Sequence, residues 1–128
     1  MRIAPLAAAA AIALTGCATA DQGRLVEQGY ERGALGVAAL DRGDWTAAEA
    51  QLSASRNVRS DDPARLINLG KVYAETGRIA DAVRAWQLAL ASSRQFEVVT
   101  AQGRVVSTDQ LAREALARYD PAVRTASR

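Results

Sequence analysis

A chain of 128 residues, shortened by a cleavable N-terminal segment, leaves material for roughly one small domain, since domains usually run about 100 to 150 residues. Sixteen basic and 14 acidic side chains give a formal charge of +2, spread without the basic block or stripe that nucleic acid requires, so the reading is no nucleic acid. With no histidine and a single cysteine, the usual general base near neutral pH, the commonest metal ligand and any internal disulfide are missing. Hydrophobic residues reach 49% but aromatics only 5%, and alanine fills much of the difference, which favours close-packed helices over a β-sandwich.

The chain opens with a positive charge at Arg2 and an apolar run from Ile3 to Leu14, followed by small residues around Cys17. This is the layout of a secretory signal peptide, and the run falls short of the ~20 residues that a transmembrane helix needs. Leu14-Thr15-Gly16-Cys17 resembles the lipobox of bacterial lipoproteins, in which a leucine and two small residues precede the cysteine that is lipidated. The resemblance implies that residues 1–16 are removed as a signal peptide and that Cys17 becomes the first mature residue. Its thiol would carry a diacylglycerol with a further acyl chain such as palmitate, and 17–24 would form the lipidated tether. Stable anchoring takes at least two chains, each buried methylene contributing about 0.8 kcal/mol. Ala18 and Thr19 lack the aspartate that, in enteric lipoproteins, holds cargo at the inner membrane. The implied address is therefore the outer membrane, on its periplasmic face.

Residues 25–96 repeat themselves. Leu35-Gly36 aligns with Leu69-Gly70, Gly43 with Gly77, Trp45 with Ile79, Ala48 with Ala82 and Leu52 with Trp86, each pair 34 positions apart. Asp62-Pro63 is a helix start, with Asp as N-cap and Pro at the first helical position, and Gly77 suits the left-handed residue that ends a helix. The second unit, with Leu66, Leu69-Gly70, Tyr73, Ala82, Trp86 and Ala89, resembles the tetratricopeptide repeat. That resemblance implies two repeats of paired helices. Gly70 and Ala82 are small where the helices of a pair cross, while Leu69, Tyr73 and Trp86 fill the space between pairs. The first unit departs from it, with Arg32, Ala39 and Ser55 at the places of Leu66, Tyr73 and Ala89. Two such units are marginal, so something must cover the open end.

Past Phe96 the helical period breaks. Phe96 to Thr100 and Arg104 to Val106 are β-prone around Ala101-Gln102-Gly103, which predicts a β-hairpin over 97–107. Ser107 and Gln110 have capping-box spacing, and Leu111, Ala115, Leu116 and Tyr119 share one face of a helix over 108–120, ahead of Pro121 and a tail at 121–128. This helix is the candidate cover. The hairpin is read either as a packed connector or as a recognition edge for a partner strand.

No catalytic, cofactor or metal constellation is visible beyond the lipid on Cys17. The tightest acidic pair, Asp61-Asp62, is explained by capping. Tetratricopeptide proteins bind peptides along the concave face of their first helices. The resemblance places candidate groove residues at Ala64, Ile67, Asn68, Lys71 and Glu75, and in the first unit at Tyr30, Val37 and Leu40. The expected fold is all-α, a short helical-hairpin solenoid of about two repeats with a small β-hairpin and a C-terminal capping helix. The expected function is a membrane-anchored, non-catalytic adaptor for an envelope protein or peptide, serving assembly, secretion or pilus biogenesis. The alternative is a structural lipoprotein that associates with itself.

Overall fold

A computed structural model describes residues 29–119. Cys17, the signal segment, the tether at 17–24 and the tail at 121–128 lie outside the described residues. The described chain contains five helices and one two-stranded sheet: α1 (Val37–Asp41), α2 (Trp45–Ala54), α3 (Pro63–Glu75), α4 (Ile79–Ala91), β1 (Glu97–Val99), β2 (Val105–Ser107) and α5 (Thr108–Tyr119). The strands are antiparallel, with Val98 opposite Val106.

The helix boundaries follow from the residues that set them. Asp62 accepts a hydrogen bond from the Arg65 amide at 3.0 Å and Pro63 opens α3, so the expected cap is formed. Asp44 caps α2 in the same way through the Ala47 amide, at 3.0 Å. The turns at Gly43 and Gly77 are replicas. The Asp44 and Arg78 amides donate to Ala39 and Tyr73 at 2.9 and 2.7 Å, and the Gly43 and Gly77 amides donate to Leu40 and Ala74 at 3.1 Å each. Both glycines hold a positive φ, 66° and 79°, which a side chain would strain.

The packing repeats as well. A Cβ on Gly36 would lie 3.3 Å from Leu52, and one on Gly70 would overlap the indole of Trp86. Glycine is thus the seat for the large residue of the following helix in both units. Trp86 is 3% exposed, donates its indole N–H to the Ile67 carbonyl at 3.2 Å, and meets the Tyr119 ring with centroids 5.2 Å apart. It therefore packs inside the α3–α4 pair as well as against α5, and does not simply fill the space between pairs. Leu69 does face the preceding pair, against the cluster of Ala39, Leu40, Ala48, Leu52 and Val72.

The first unit is shorter than two complete repeats predict. Its first helix, α1, has five residues against thirteen for α3. Gly33 and Gly36 adopt φ of 85° and 65°, which interrupts the helix before Val37. The chain from Tyr30 to Leu35 instead lies against α3. The Tyr30 hydroxyl donates to the Asp62 carboxylate at 3.0 Å, and Leu35 and Ala64 share one core cluster. Burial first, and then the Asp62 charge, push the Tyr30 hydroxyl well above the usual phenol range.

After α4 the chain is pinned by side chains. Gln95 donates to the carbonyls of Ala89, in the last turn of α4, and of Ser92 just after it, both at 2.9 Å, and accepts from the Thr108 hydroxyl. Thr108 also receives the Phe96 amide at 3.3 Å. The hairpin turns through Ala101-Gln102-Gly103 as expected, its Thr100 amide bonded to Arg104 at 2.9 Å. Ser107 ends β2 and donates to Asp109, while Gln110 reaches forward to Glu114 at 3.0 Å, so this pair does not form the reciprocal box that the spacing suggested. Leu111, Ala112 and Leu116 of α5 are buried against α4, and Ala115 and Tyr119 are half-buried beside them.

These contacts separate two kinds of glycine. Gly70→Ala should destabilise by about 1–3 kcal/mol through overpacking against Trp86, although alanine is the better helix former by about 1 kcal/mol. Gly77→Ala meets no neighbour but must hold a positive φ, at a cost of about 1 kcal/mol. Urea denaturation of the two variants checks this, and a stabilised Gly70→Ala would refute the close approach.

Candidate functional site

The residues marked from the sequence divide along α3. Ala64 and Asn68 are fully buried, Ile67 is 5% exposed, and Leu40 of the first unit is 3% exposed. Ala64, Asn68 and Leu40 therefore belong to the interior and not to an open groove. The cause is the folded-back segment from Tyr30 to Leu35: the Asn68 side-chain amide donates to the Leu35 carbonyl at 2.9 Å, which ties this segment to α3. The amide oxygen of Asn68 is buried with no hydrogen-bond partner, so the whole side chain is committed to the interior. Tyr30 is occupied at Asp62, and Val37 packs against the main core.

Towards the C-terminal end of α3 the surface opens. A cavity of about 310 Å³ is lined by α3, α4, the hairpin loop and α5. Its deep part is apolar, from Ile67, Trp86, Leu111 and the half-buried Ala115 and Tyr119. Its lip is charged and comes from three elements: Lys71 and Glu75 on α3, Arg104 after the hairpin turn, and Glu114 and Arg118 on α5. Lys71 and Glu75 face each other at 3.6 Å, one helical turn apart, and Arg104 reaches Glu114 at 3.4 Å across from the hairpin to α5. The structure thus joins Ile67, Lys71 and Glu75 in one place and removes Ala64 and Asn68 from it.

Arg104, Glu114, Arg118 and Tyr119 were not singled out as site residues, and Trp86 was marked only for packing within the repeat. A signal existed for the α5 part: Leu111, Glu114, Ala115, Arg118 and Tyr119 follow the i, i+3, i+4, i+7, i+8 spacing of a single helical stripe. The contribution of Arg104 depends on how the hairpin packs, which spacing does not encode.

Elsewhere several charged groups serve the fold. Arg78 bonds to Glu49 at 2.8 Å and Asp81 at 3.1 Å and lies 4.2 Å over the Tyr73 ring, linking α2, α3 and α4. Arg65 donates to the Val58 and Ser53 carbonyls at 3.1 and 3.3 Å, joining α3 to the end of α2 and the loop after it. Hydrogen bonds from Arg59 hold Asp61 below the usual carboxylate range, and a bond from Ser107, with Arg113 behind it, does the same for Asp109. Among the described residues no group of three or more cysteine, aspartate or glutamate side chains is arranged to hold a metal ion, and no helix is long and apolar enough to cross a membrane.

No family model matches the chain, and comparison with curated proteins and with solved structures returned no match.

The buried position of Asn68 makes a pH-dependent prediction. Asn68→Asp places a carboxyl against the Leu35 carbonyl, where only the protonated form can donate. Its folded pKa must rise above the unfolded value of about 3.9, so the folded state holds the proton longer and stability falls as pH rises through that region. At neutral pH the loss should be about 3 kcal/mol, the cost of an uncompensated buried charge, and it should vanish near pH 4. Asn68→Leu should show no such slope. Chemical denaturation across pH 4 to 8 decides between an interior and a groove position.

Proposed function

We propose that this chain is a membrane-anchored, non-catalytic adaptor of the bacterial envelope, built as a short tetratricopeptide-like module and tethered through lipidated Cys17. The observation that carries the reading is the replication, 34 residues apart, of the turn hydrogen bonds at Gly43 and Gly77 together with the Gly36–Leu52 and Gly70–Trp86 contacts. Stacked helical pairs of this kind bury little by themselves and present a surface to a partner. In this reading α5 stands to the α3–α4 pair as α3 stands to α1–α2, half of a further unit that closes the stack.

The surface on offer is the cavity of Ile67, Lys71, Glu75, Trp86 and the α5 stripe, which combines an apolar floor with charged sides, as peptide- and protein-binding sites do. An extended chain from Cys17 to Gly29 spans at most about 40 Å, so the module would work close to the outer-membrane surface. Anchoring raises the local concentration of the module there, so a weak contact suffices to hold a partner engaged in assembly, secretion or pilus biogenesis.

Metabolic labelling with palmitate, followed by membrane fractionation, tests the anchor. The wild-type chain should take up label and sediment with outer membranes, and Cys17→Ala should lose the label and remain unprocessed. Unchanged processing and sedimentation of Cys17→Ala would end this reading of the N-terminus.

A further inference from the structure

We infer that the end of the module from which the chain runs back to Cys17 is a docking face for an anionic phospholipid surface, held to the headgroups by Arg32, Arg56 and Arg94. This rests on the lipid-anchor reading and gives the anchored module an orientation.

The three arginines are far apart in the sequence and only folding brings them together. Arg32 and Arg56 line one depression between the entry segment and the loop after α2, where Asn57 bonds to Glu31 at 2.8 Å. The loop after α4 joins the same end, because the Ser92 hydroxyl donates to the Asp61 carbonyl at 3.3 Å, and this loop carries Arg94. All three arginines are exposed, and none has a side-chain hydrogen bond or ion pair to another described residue. The acids beside them are engaged: Asp61 pairs with Arg59 at 2.8 Å, and Asp62 caps α3 and holds Tyr30. Arg65 reaches in from the first turn of α3 and is bonded to the Val58 and Ser53 carbonyls instead of to an acid. The balance at this end is thus five arginines against Glu31, Asp61 and Asp62. The two glycine turns at the opposite end reverse it, with Asp41, Asp44, Glu75 and Asp81 against Arg42 and Arg78.

The place of this charge selects the surface. Tyr30 is fixed to Asp62 at 3.0 Å, so the chain enters the fold at the basic end, and that end lies nearest the anchor. Gly29 stands twelve positions after Cys17, a tether short enough to keep the face beside the bilayer and long enough to let it touch. An anionic leaflet attracts each nearby arginine by a factor of about five, and it reads charge without requiring a shaped site. That suits guanidinium groups spread over three separate segments. Docked this way, α3 starts at the membrane, and its far end, with Lys71 and Glu75 on the lip of the cavity, is held away from the lipid.

The test inserts the full-length lipidated chain into vesicles of phosphatidylcholine, with or without phosphatidylglycerol, each containing a lipid with a nitroxide on its headgroup. With Cys17 lipidated, a fluorophore can be placed on a single new thiol, either Ser60→Cys in the loop after α2 or Ala80→Cys at the opposite end, both at exposed positions. The Ser60→Cys probe should be quenched when phosphatidylglycerol is present and released at 1 M salt, where the Debye length is about 3 Å. The Ala80→Cys probe should stay bright throughout. Replacing Arg32, Arg56 and Arg94 together by glutamine should lower the ratio of docked to undocked chain at least about tenfold, with circular dichroism unchanged. Replacement of all three by lysine should preserve docking, because the surface reads charge and not the guanidinium fork. Equal quenching with and without phosphatidylglycerol, equal quenching at both positions, docking that survives the glutamine variant, or docking lost in the lysine variant would each overturn the inference. The mass of the purified chain keeps the two failures apart. A chain without lipid removes the anchor reading and this inference with it, whereas a lipidated chain whose basic end ignores phosphatidylglycerol removes this inference alone.

Discussion

Trp86 resting on Gly70 is the contact on which most of the described structure depends. The absence of a side chain at Gly70 lets α4 approach α3 closely enough for the indole to be buried and for its N–H to reach the Ile67 carbonyl. The same indole also meets the Tyr119 ring, so one residue of α4 joins α3 to α5. Truncation of such a residue typically costs 3–5 kcal/mol, a large share of the stability of a domain this size. Because Trp86 also floors the cavity, core and candidate site are one assembly. A change that loosens the packing also reshapes the pocket.

The two units show how one pattern yields unequal structures. The glycine turn of each is built on the same backbone hydrogen bonds, although Asp44 caps α2 with its side chain and Arg78 does not cap α4. The first half differs because Gly33 and Gly36 take left-handed conformations where the second unit, at Ile67 and Gly70, continues as helix. The segment freed from helix then binds α3 through Tyr30 to Asp62 and Leu35 to Asn68. One buried and one part-buried polar contact thus stabilise the irregular entry to the fold, and their consequence is functional. They commit the N-terminal half of α3 to the interior and leave only its C-terminal half for a partner.

Much of this was legible in the residues. Asp62-Pro63, Gly77, the Ala101-Gln102-Gly103 turn and the apolar face of α5 each state a local conformational preference, and local preferences survive folding when packing agrees with them. The extent of α1 was not legible, because an alignment at 34 residues shows that Gly36 corresponds to Gly70 without showing which of them remains helical. Asn68 reads as a polar groove residue by resemblance to the repeat; the Leu35 carbonyl that buries it comes from a turn with no motif. The same is true of the Gln95–Thr108 link, in which two ordinary polar residues 13 positions apart fix the hairpin to the end of α4. Arg104 reaches the cavity only because that link holds.

The central claim is that the α3–hairpin–α5 cavity is where this tethered module meets another protein. A photo-crosslinking amino acid at Glu75, on the lip, in the full-length lipidated chain in native membranes tests it most directly. The account predicts a discrete adduct with a second envelope protein, absent when the same probe replaces Arg84 on the exposed surface of α4. Adducts formed only between copies of this chain, or identical adducts from both positions, would contradict it.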